Sequence, residues 1–284
     1  MPVLVMKVDG TKQLFDREKV VRTCLRMGAT REVAEAVAEK IETKVYDGIE
    51  TRRILQMIFR ELGRYKPEVK YQIDLRRALS LMEPKPDFER FVQILLGENG
   101  YEVTPNQIIR GRCVEHEVDA IARKDGETYI VEVKHHYNYH TPTGLDVSRI
   151  ARAVLEDLIE GFELGLNTLK IDKAMIVCNT KLSEHAKRYA ECRGIHHIGW
   201  NSPPDQDLRS MIERKRLYPI TCLRGLKKDV REKLASAGII LLKQLTNKKP
   251  EELRRETNLP RETTENLIEK AKAILSQKNR IYEA

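Results

Sequence analysis

Two carboxylates and a lysine, Asp119, Glu132 and Lys134, stand within a stretch that reads EHEVDAIARKDGETYIVEVKHH over residues 115–136. Asp125-Gly126 is a two-residue type I′ turn signal, so Lys124 pairs with Glu127 and the register predicts Asp119 opposite Glu132, Glu117 opposite Lys134 and Ile121 opposite Ile130. Strand alternation puts these six on one side, with Val118, Ala120, Ala122, Val131 and Val133 on a second side that reads as core. Like charges directly opposite one another destabilise a sheet, and local rules are most often broken at functional sites. A divalent cation repairs the conflict. Mg²⁺ usually keeps several waters and is bound by one or two protein carboxylates plus substrate phosphate oxygens, and Lys134 supplies a charge beside them. An isolated Glu-x-Lys is common in charged strands, and Glu117 with Lys134 could be only a cross-strand ion pair contributing about a few tenths of a kcal/mol. The register and the elements around the hairpin separate the two readings.

Those elements fall into three segments. Glu83-Pro84-Lys85-Pro86 closes a helical run, and a second boundary lies near Asn201-Ser202-Pro203-Pro204-Asp205. Before the first, alternation over 3–15 around Asp9-Gly10 predicts a small hairpin. Asp16 is an N-cap for a helix to about Met27, and helical spacing continues over 31–47, 51–63 and 67–82. Between the boundaries the pattern predicts a helix over 87–97, with Phe88, Phe91, Val92, Leu95 and Leu96 on its core face and Glu89 and Gln93 sharing another. Strands at 101–109, 112–123 and 127–136, a helix at 146–163, a strand at 173–178, a helix at 182–193 and a strand at 195–199 complete a mixed sheet flanked by helices. The last third is helical with breaks at Ala237-Gly238 and Asn258-Leu259-Pro260, as in a compact bundle.

Composition sets the outer limits. The 284 residues, 33% of them charged, suit two or three domains. No apolar run is long enough to span a bilayer, and the N-terminus lacks a basic-then-apolar signal pattern, so a cytoplasmic location is expected. Five scattered cysteines, 24, 113, 178, 192 and 222, support neither a disulfide framework nor a zinc site. Residues 213–284 hold 18 Lys and Arg against 10 Asp and Glu, which accounts for the whole net charge of +8. A basic end on a balanced chain points to a polyanion such as nucleic acid, although a solvated basic surface has the same composition. With aromatic residues at 6%, an RNA-binding platform of stacked rings is disfavoured.

The order helix, three-stranded meander, helix, strand, helix, strand over 86–202, with Asp119 in one strand and Glu132-Val133-Lys134 in the next, resembles the PD-(D/E)xK nuclease superfamily, in its Mrr-like restriction-endonuclease branch. Gly100-Tyr101-Glu102-Val103 and the tail MIVCNTKLSEHAKRYAECRGIHHIGW, ending in Trp200, extend the likeness. The resemblance implies that Asp119 and Glu132 ligate Mg²⁺ or Mn²⁺, that Lys134 orients or activates the water, and that Glu89 is an auxiliary acid. Many members of that branch carry Gln at the position of Glu132, whereas this chain keeps the acid of the wider superfamily. His116, His135, His136 and His140 are expected near the site, where contact with phosphate or metal is one reading and solvated or capping groups the favoured one.

VLVMKVDGTKQLFDREKV at the start resembles the ATP-cone, a nucleotide-sensing module. That likeness implies ATP or dATP as an effector held by Lys7, Asp9, Gly10, Lys12, Gln13, Phe15 and Lys19, the lysines lying near a helix N-terminus that favours anions. Val8 departs from the Arg often found there, and no Walker-type phosphate loop is present. The stretch TCLRGLKKDVREKLASAGIILLKQLTNKKPEELRRETNLPRETTENLIEKAKAIL resembles a helix-hairpin-helix domain. DNA is the partner implied, with Gly238 giving a tight turn before a helix start and Lys227, Lys228, Lys243, Lys248 and Lys249 adding attraction to phosphates. Such modules also serve as protein contacts.

The expectation is therefore a multidomain α/β chain: a small β-hairpin plus helical bundle over 1–83, a restriction-endonuclease-like mixed-sheet α/β core over 86–202, and an all-α helix-hairpin-helix domain over 214–284. Its expected activity is metal-dependent DNA cleavage under nucleotide control, in a homo-oligomer, either a dimer or a nucleotide-dependent higher-order assembly. The alternative is a nucleotide-responsive DNA-binding regulator with a catalytically silent nuclease fold.

Overall fold

The computed structural model describes residues 3–277. The described residues divide into two compact units, one formed by those up to 74 together with those from 220 onward, the other by residues 75–219.

In the first unit, β1 (Leu4–Met6) and β2 (Lys12–Leu14) form the hairpin expected around Asp9-Gly10, with Leu4 opposite Leu14 and Met6 opposite Lys12. Asp16 caps α1 (Arg17–Arg26) by accepting the Lys19 amide at 3.2 Å, and α2 (Arg31–Glu42) follows. The two-residue β3 (Ile49–Glu50), too short to leave a periodic signal, pairs parallel with β1 and leads into α3 (Thr51–Tyr65). Val5, Val21, Cys24, Val37, Ile41, Ile49 and Leu62 form the core.

The expected helix over 67–82 is not continuous. A 3₁₀ turn, Pro67–Tyr71, is followed by extended Gln72, and α4 (Leu75–Ser80) starts the second unit. The extended residue breaks the helix because the chain pairs there with the C-terminal segment of the first unit: Ile73 N–H donates to the Cys222 carbonyl at 2.9 Å and Arg224 N–H to Tyr71 at 2.7 Å.

The second unit places α5 (Glu89–Glu98) after a turn over Pro84–Phe88. Phe88, Phe91, Val92, Leu95 and Leu96 are fully buried, as their spacing predicts. There follow β4 (Glu102–Arg110), β5 (Glu115–Lys124), β6 (Glu127–Lys134), α6 (Leu145–Glu163), β7 (Lys173–Cys178), α7 (Glu184–Cys192), β8 (His196–Ile198) and α8 (Leu208–Lys215). The sheet order is β4-β5-β6-β7-β8. Its first three strands are antiparallel and its last three parallel, α6 and α7 supplying the crossovers that parallel neighbours require.

The predicted register holds from Lys124↔Glu127 to Ala120↔Val131 and then the β5–β6 pairing ends. Alternation also fails there. Val118 and Ile121, three residues apart, pack in one core with Ile130, Ile176 and Leu155. The expected assignment of Val118 and Ile121 to opposite faces is thus corrected. The break falls opposite Asn106 of β4, which has a left-handed φ of 42° and is the position skipped between the pairs Pro105↔Ala120 and Gln107↔Val118. Asparagine tolerates that conformation, and such irregularities re-aim side chains next to sites.

The first unit is completed by α9 (Lys228–Ser236), α10 (Leu242–Thr246), α11 (Pro250–Thr257) and α12 (Arg261–Gln277), with breaks at Gly238, φ +76°, and at Asn258, φ +50°.

Candidate active site and flanking sites

Because β5 and β6 part at Ala120↔Val131, the Asp119 carboxylate replaces a ladder bond. Its Oδ2 accepts the Val133 amide at 2.8 Å, which fixes the acid between the strands that carry it and Glu132. Asp119 is 9% exposed and Glu89, on one face of α5, is 5% exposed. Both approach Lys85, whose Nζ lies 2.9 Å from Glu89 Oε1, 3.3 Å from Asp119 Oδ1 and 3.6 Å from Glu117 Oε1. Burial pushes the Glu89 carboxyl above the ordinary carboxylate range, against the pull of Lys85. Burial, and next the charge of Asp119, likewise push up Glu132. The two strand acids therefore feel each other, while the charges of Lys134 and then Lys85 oppose the rise at Glu132.

Lys134 is exposed and, among the described residues, has no carboxylate within ion-pair distance. Glu117 is paired with Lys85, so the cross-strand Glu117–Lys134 ion pair does not form. Among the described residues no three His, Cys, Asp or Glu side chains are grouped as a closed metal cage requires. Two carboxylates on adjacent strands, an exposed ammonium on the strand of Glu132 and open positions remaining form a donor set that suits a hydrated Mg²⁺ or Mn²⁺ ion.

Three of the four histidines have structural partners, and the amide of the fourth, His140, donates to Asn138 at 3.1 Å. His116 lies not with the acids but on Asp157 of α6, at 2.7 Å. His135 bonds the Leu79 carbonyl at 3.0 Å, and His136 bonds Thr143 at 3.1 Å while its amide donates to Asn179. Two positions at the site carry no role that the sequence pattern reveals. Lys85 sits in what reads as a proline-rich boundary. Gln93, legible only as a neighbour of Glu89, bridges the Asn106 side chain and the Asp119 backbone.

Residues 80–199 match a family described as restriction endonuclease, and residues 218–275 match one described as AF1548-like, C-terminal. An uncharacterized protein of Archaeoglobus fulgidus is 37% identical over 182 residues, covering 64% of this chain and 98% of that protein. The chain belongs to the AF1548-like family. A second uncharacterized protein of the same organism is 53% identical over 38 residues, 13% of this chain and 81% of that one. The crystal structure of AF1548, titled a protein of unknown function, superposes with a TM-score of 0.57 and 34% identity, covering 66% of this chain and 96% of that one. This AF1548-like chain thus carries a restriction-endonuclease domain built on the five-stranded mixed sheet, and an AF1548-like C-terminal domain. Among the described residues, no helix is long and apolar enough to cross a membrane.

At the N-terminal hairpin, Asp9 Oδ1 accepts the Thr11 amide at 2.9 Å and its hydroxyl at 2.6 Å, while Gly10 donates to the Lys7 carbonyl with φ +80°. Lys7 and Lys12 are exposed on this turn. A cavity of about 180 Å³ opens beside it, lined by Gln13, Phe15 and Lys19 with Val5, Ile54 and Ile58. Of the seven residues singled out there, the cavity joins Gln13, Phe15 and Lys19; Lys7, Asp9, Gly10 and Lys12 lie outside its lining.

In the C-terminal helices the amides of Ile240 and Leu241, just past Gly238, both donate to Gln244 Oε1 at 2.9 Å. Those helix-start donors are already used. Lys248 is held by Glu252 and Glu256 at 2.9 and 2.7 Å, whereas Lys227, Lys228, Lys243 and Lys249 are exposed. A groove of about 560 Å³ runs elsewhere, between the turn before α9 and the Leu259-Pro260 turn before α12, and gathers Arg224, Lys227, Lys233 and Lys270. Three of these four cations escape sequence reasoning because they are widely spaced along the chain.

Proposed function

We propose that this AF1548-like protein is a metal-dependent DNA endonuclease. The observation that carries the reading is the end of the β5–β6 ladder at Ala120↔Val131, which leaves Asp119 and Glu132 as adjacent acids beside Lys134, a lysine with no carboxylate at ion-pair distance among the described residues, inside a restriction-endonuclease domain. Asp119 and Glu132 would hold the ion, which would supply Lewis acidity toward a phosphoryl oxygen and acidify water. The exposed Lys134 ammonium is placed to orient the attacking water and to meet the developing charge on the phosphate. Val133 N–H holds the Asp119 carboxylate in place, and Glu89 adds an acidic group on the α5 side.

Nucleotide and DNA-binding roles are assigned to the first unit. The cavity at Phe15 is smaller than the roughly 300–1,000 Å³ of most ligand pockets, so it takes a base-sized part of ATP or dATP and leaves the phosphates to Lys19, Lys7 and Lys12. Asp9, Gly10 and Gln13 shape the hairpin that carries these lysines. The C-terminal helices, read as helix-hairpin-helix, hold DNA backbone through Lys227, Lys228, Lys243 and Lys249. The domain limits proposed are 1–83, 86–202 and 214–284, in a homo-oligomer that supplies one site per strand for double-strand cleavage.

One observation favours a second reading. Lys85 already neutralises the acidic cluster, as expected of a silent nuclease fold in a nucleotide-responsive regulator. Incubation of supercoiled plasmid with protein and Mg²⁺, with and without ATP or dATP, beside Asp119→Ala, separates them. Nicked or linear product that the variant does not make supports the endonuclease; cleavage by both sinks the site, and metal-independent DNA binding without nicking favours the regulator.

A further inference from the structure

We propose that Lys85 is a tethered counter-cation that occupies the acidic site when divalent metal is absent and must leave Asp119 for metal to bind. The inference rests on Asp119 as a metal ligand, and it turns the observation that favours a silent fold into a device of a working one. The geometry is specific at the level of single oxygens. Asp119 Oδ2 is committed to the Val133 amide at 2.8 Å, so Oδ1 is the oxygen left for a cation, and Oδ1 is the one Lys85 contacts at 3.3 Å.

Three negative groups share this one ammonium. Glu89 and Asp119 are buried and Glu117 is exposed, with Lys85 Nζ within 3.6 Å of all three. Buried carboxylates without a counter-ion are costly, so a fold that must wait for metal needs a substitute cation. Lys85 has the attributes of one that can withdraw. Its side chain is 63% exposed, on a flexible stem, while Pro84 and Pro86 restrain the backbone on either side. The residue itself is extended, with φ −122° and ψ 136°, inside an otherwise helical turn, which aims its side chain independently of α5. Lys134, in contrast, has no carboxylate at ion-pair distance among the described residues, so the two lysines divide the work: one guards the acids and the other serves the phosphate.

Repulsion between an ammonium and a divalent ion a few ångströms apart opposes metal binding. The experiment is calorimetric titration of the full chain with Mn²⁺ for wild type, Lys85→Met, Lys85→Arg and Asp119→Asn, with thermal unfolding followed with and without the ion. Lys85→Met is expected to bind Mn²⁺ about tenfold more tightly, which corresponds to about 1.4 kcal/mol, to melt lower without metal and to gain more from metal. Lys85→Arg keeps the wild-type affinity within about twofold. Equal or weaker binding by a folded Lys85→Met overturns the proposal while leaving the nuclease reading intact. Wild-type affinity in Asp119→Asn, or no binding by any form, removes the ligand assignment and this proposal with it.

A second measurement covers a variant that does not fold. Acetylation of wild-type lysines by acetic anhydride, read by mass spectrometry, is expected to rise severalfold at Lys85 when Mn²⁺ is added, because its ammonium is released. Unchanged or reduced labelling at Lys85 overturns the proposal.

Discussion

The side-chain amide of Gln93 donates to the backbone carbonyl of Asp119 at 3.1 Å and, from the same nitrogen, to Asn106 Oδ1 at 3.0 Å. One residue of α5 thus holds both strands at the point where their alternation breaks. Replacing Gln93 by Ala removes both bonds and is expected to cost about 1 kcal/mol of stability. The larger effect falls on Asp119, whose carboxylate depends on that kinked backbone, so plasmid cleavage drops by an order of magnitude or more while DNA binding is retained. Urea unfolding and a cleavage time course check the two parts. Full cleavage in a measurably destabilised variant shows that Gln93 is structural only.

Lys134 tests the division between guarding and working lysines. Lys134→Met removes an exposed ammonium with no carboxylate partner among the described residues, so stability changes by less than about 0.5 kcal/mol. Cleavage falls by roughly two to four orders of magnitude, the contribution of a positioned proton-transfer or charge-stabilising group. Denaturation and nicking rates measured on one preparation decide it.

The residues that were legible in the sequence are those governed by local rules. Asp125-Gly126 sets the turn, and the register it imposes is correct for five successive pairs. Asp16 caps a helix and the apolar face of α5 is buried as its spacing requires. Illegible features depend on partners far along the chain. The end of the ladder is fixed by Gln93 and Asn106, 26 and 13 residues before Asp119, and Lys85 reaches Asp119 from 34 residues away. The two-residue β3 has no periodicity to read, and Gly238 reads as an open hairpin because the Gln244 side chain that fills it is invisible to turn chemistry.

Asp157 predicts a pH dependence. The Cys113 amide first, and then His116, hold its carboxyl far below the ordinary 3.8, and they tie the loop between β4 and β5 to α6. A carboxylate whose folded pKa is depressed stabilises the protein above its unfolded pKa, and that stability is lost as pH falls toward the folded value. The melting temperature of wild type should therefore exceed that of Asp157→Asn at pH 5, and the margin should narrow as pH drops through 3.8 and below. Thermal unfolding from pH 7 to pH 3 tests this; a margin that widens in acid contradicts the assignment.

Phe15 forms one wall of the small cavity beside the N-terminal hairpin, with Gln13 and Lys19. ATP at 100 times its dissociation constant is expected to stabilise the protein by about 2.7 kcal/mol. Phe15→Ala removes the apolar wall and abolishes the shift, while Lys19→Ala weakens ATP more than adenosine because it removes only a charge that meets phosphate. Thermal-shift titrations with both ligands check the pair, and an unchanged ATP response in both variants excludes this cavity.

Lys227 and Lys248 are both basic residues of the C-terminal helices, yet their surroundings differ. Lys227 is exposed at the groove that also gathers Arg224, Lys233 and Lys270, whereas Lys248 is bracketed by Glu252 and Glu256 at 2.9 and 2.7 Å. A cation already paired with two carboxylates releases few counter-ions on meeting DNA. For each phosphate that the protein no longer neutralises, the slope of log affinity against log salt concentration falls by about 0.9. Lys227→Ala and Arg224→Ala are each expected to reduce that slope by about one, and Lys248→Ala to leave it unchanged. Fluorescence anisotropy with a labelled duplex between about 50 and 200 mM salt, a range over which neutralised phosphates change affinity by orders of magnitude, gives all three slopes. If Lys248→Ala lowers the slope and Lys227→Ala does not, DNA meets the α10–α11 side and not the groove between the turns before α9 and α12.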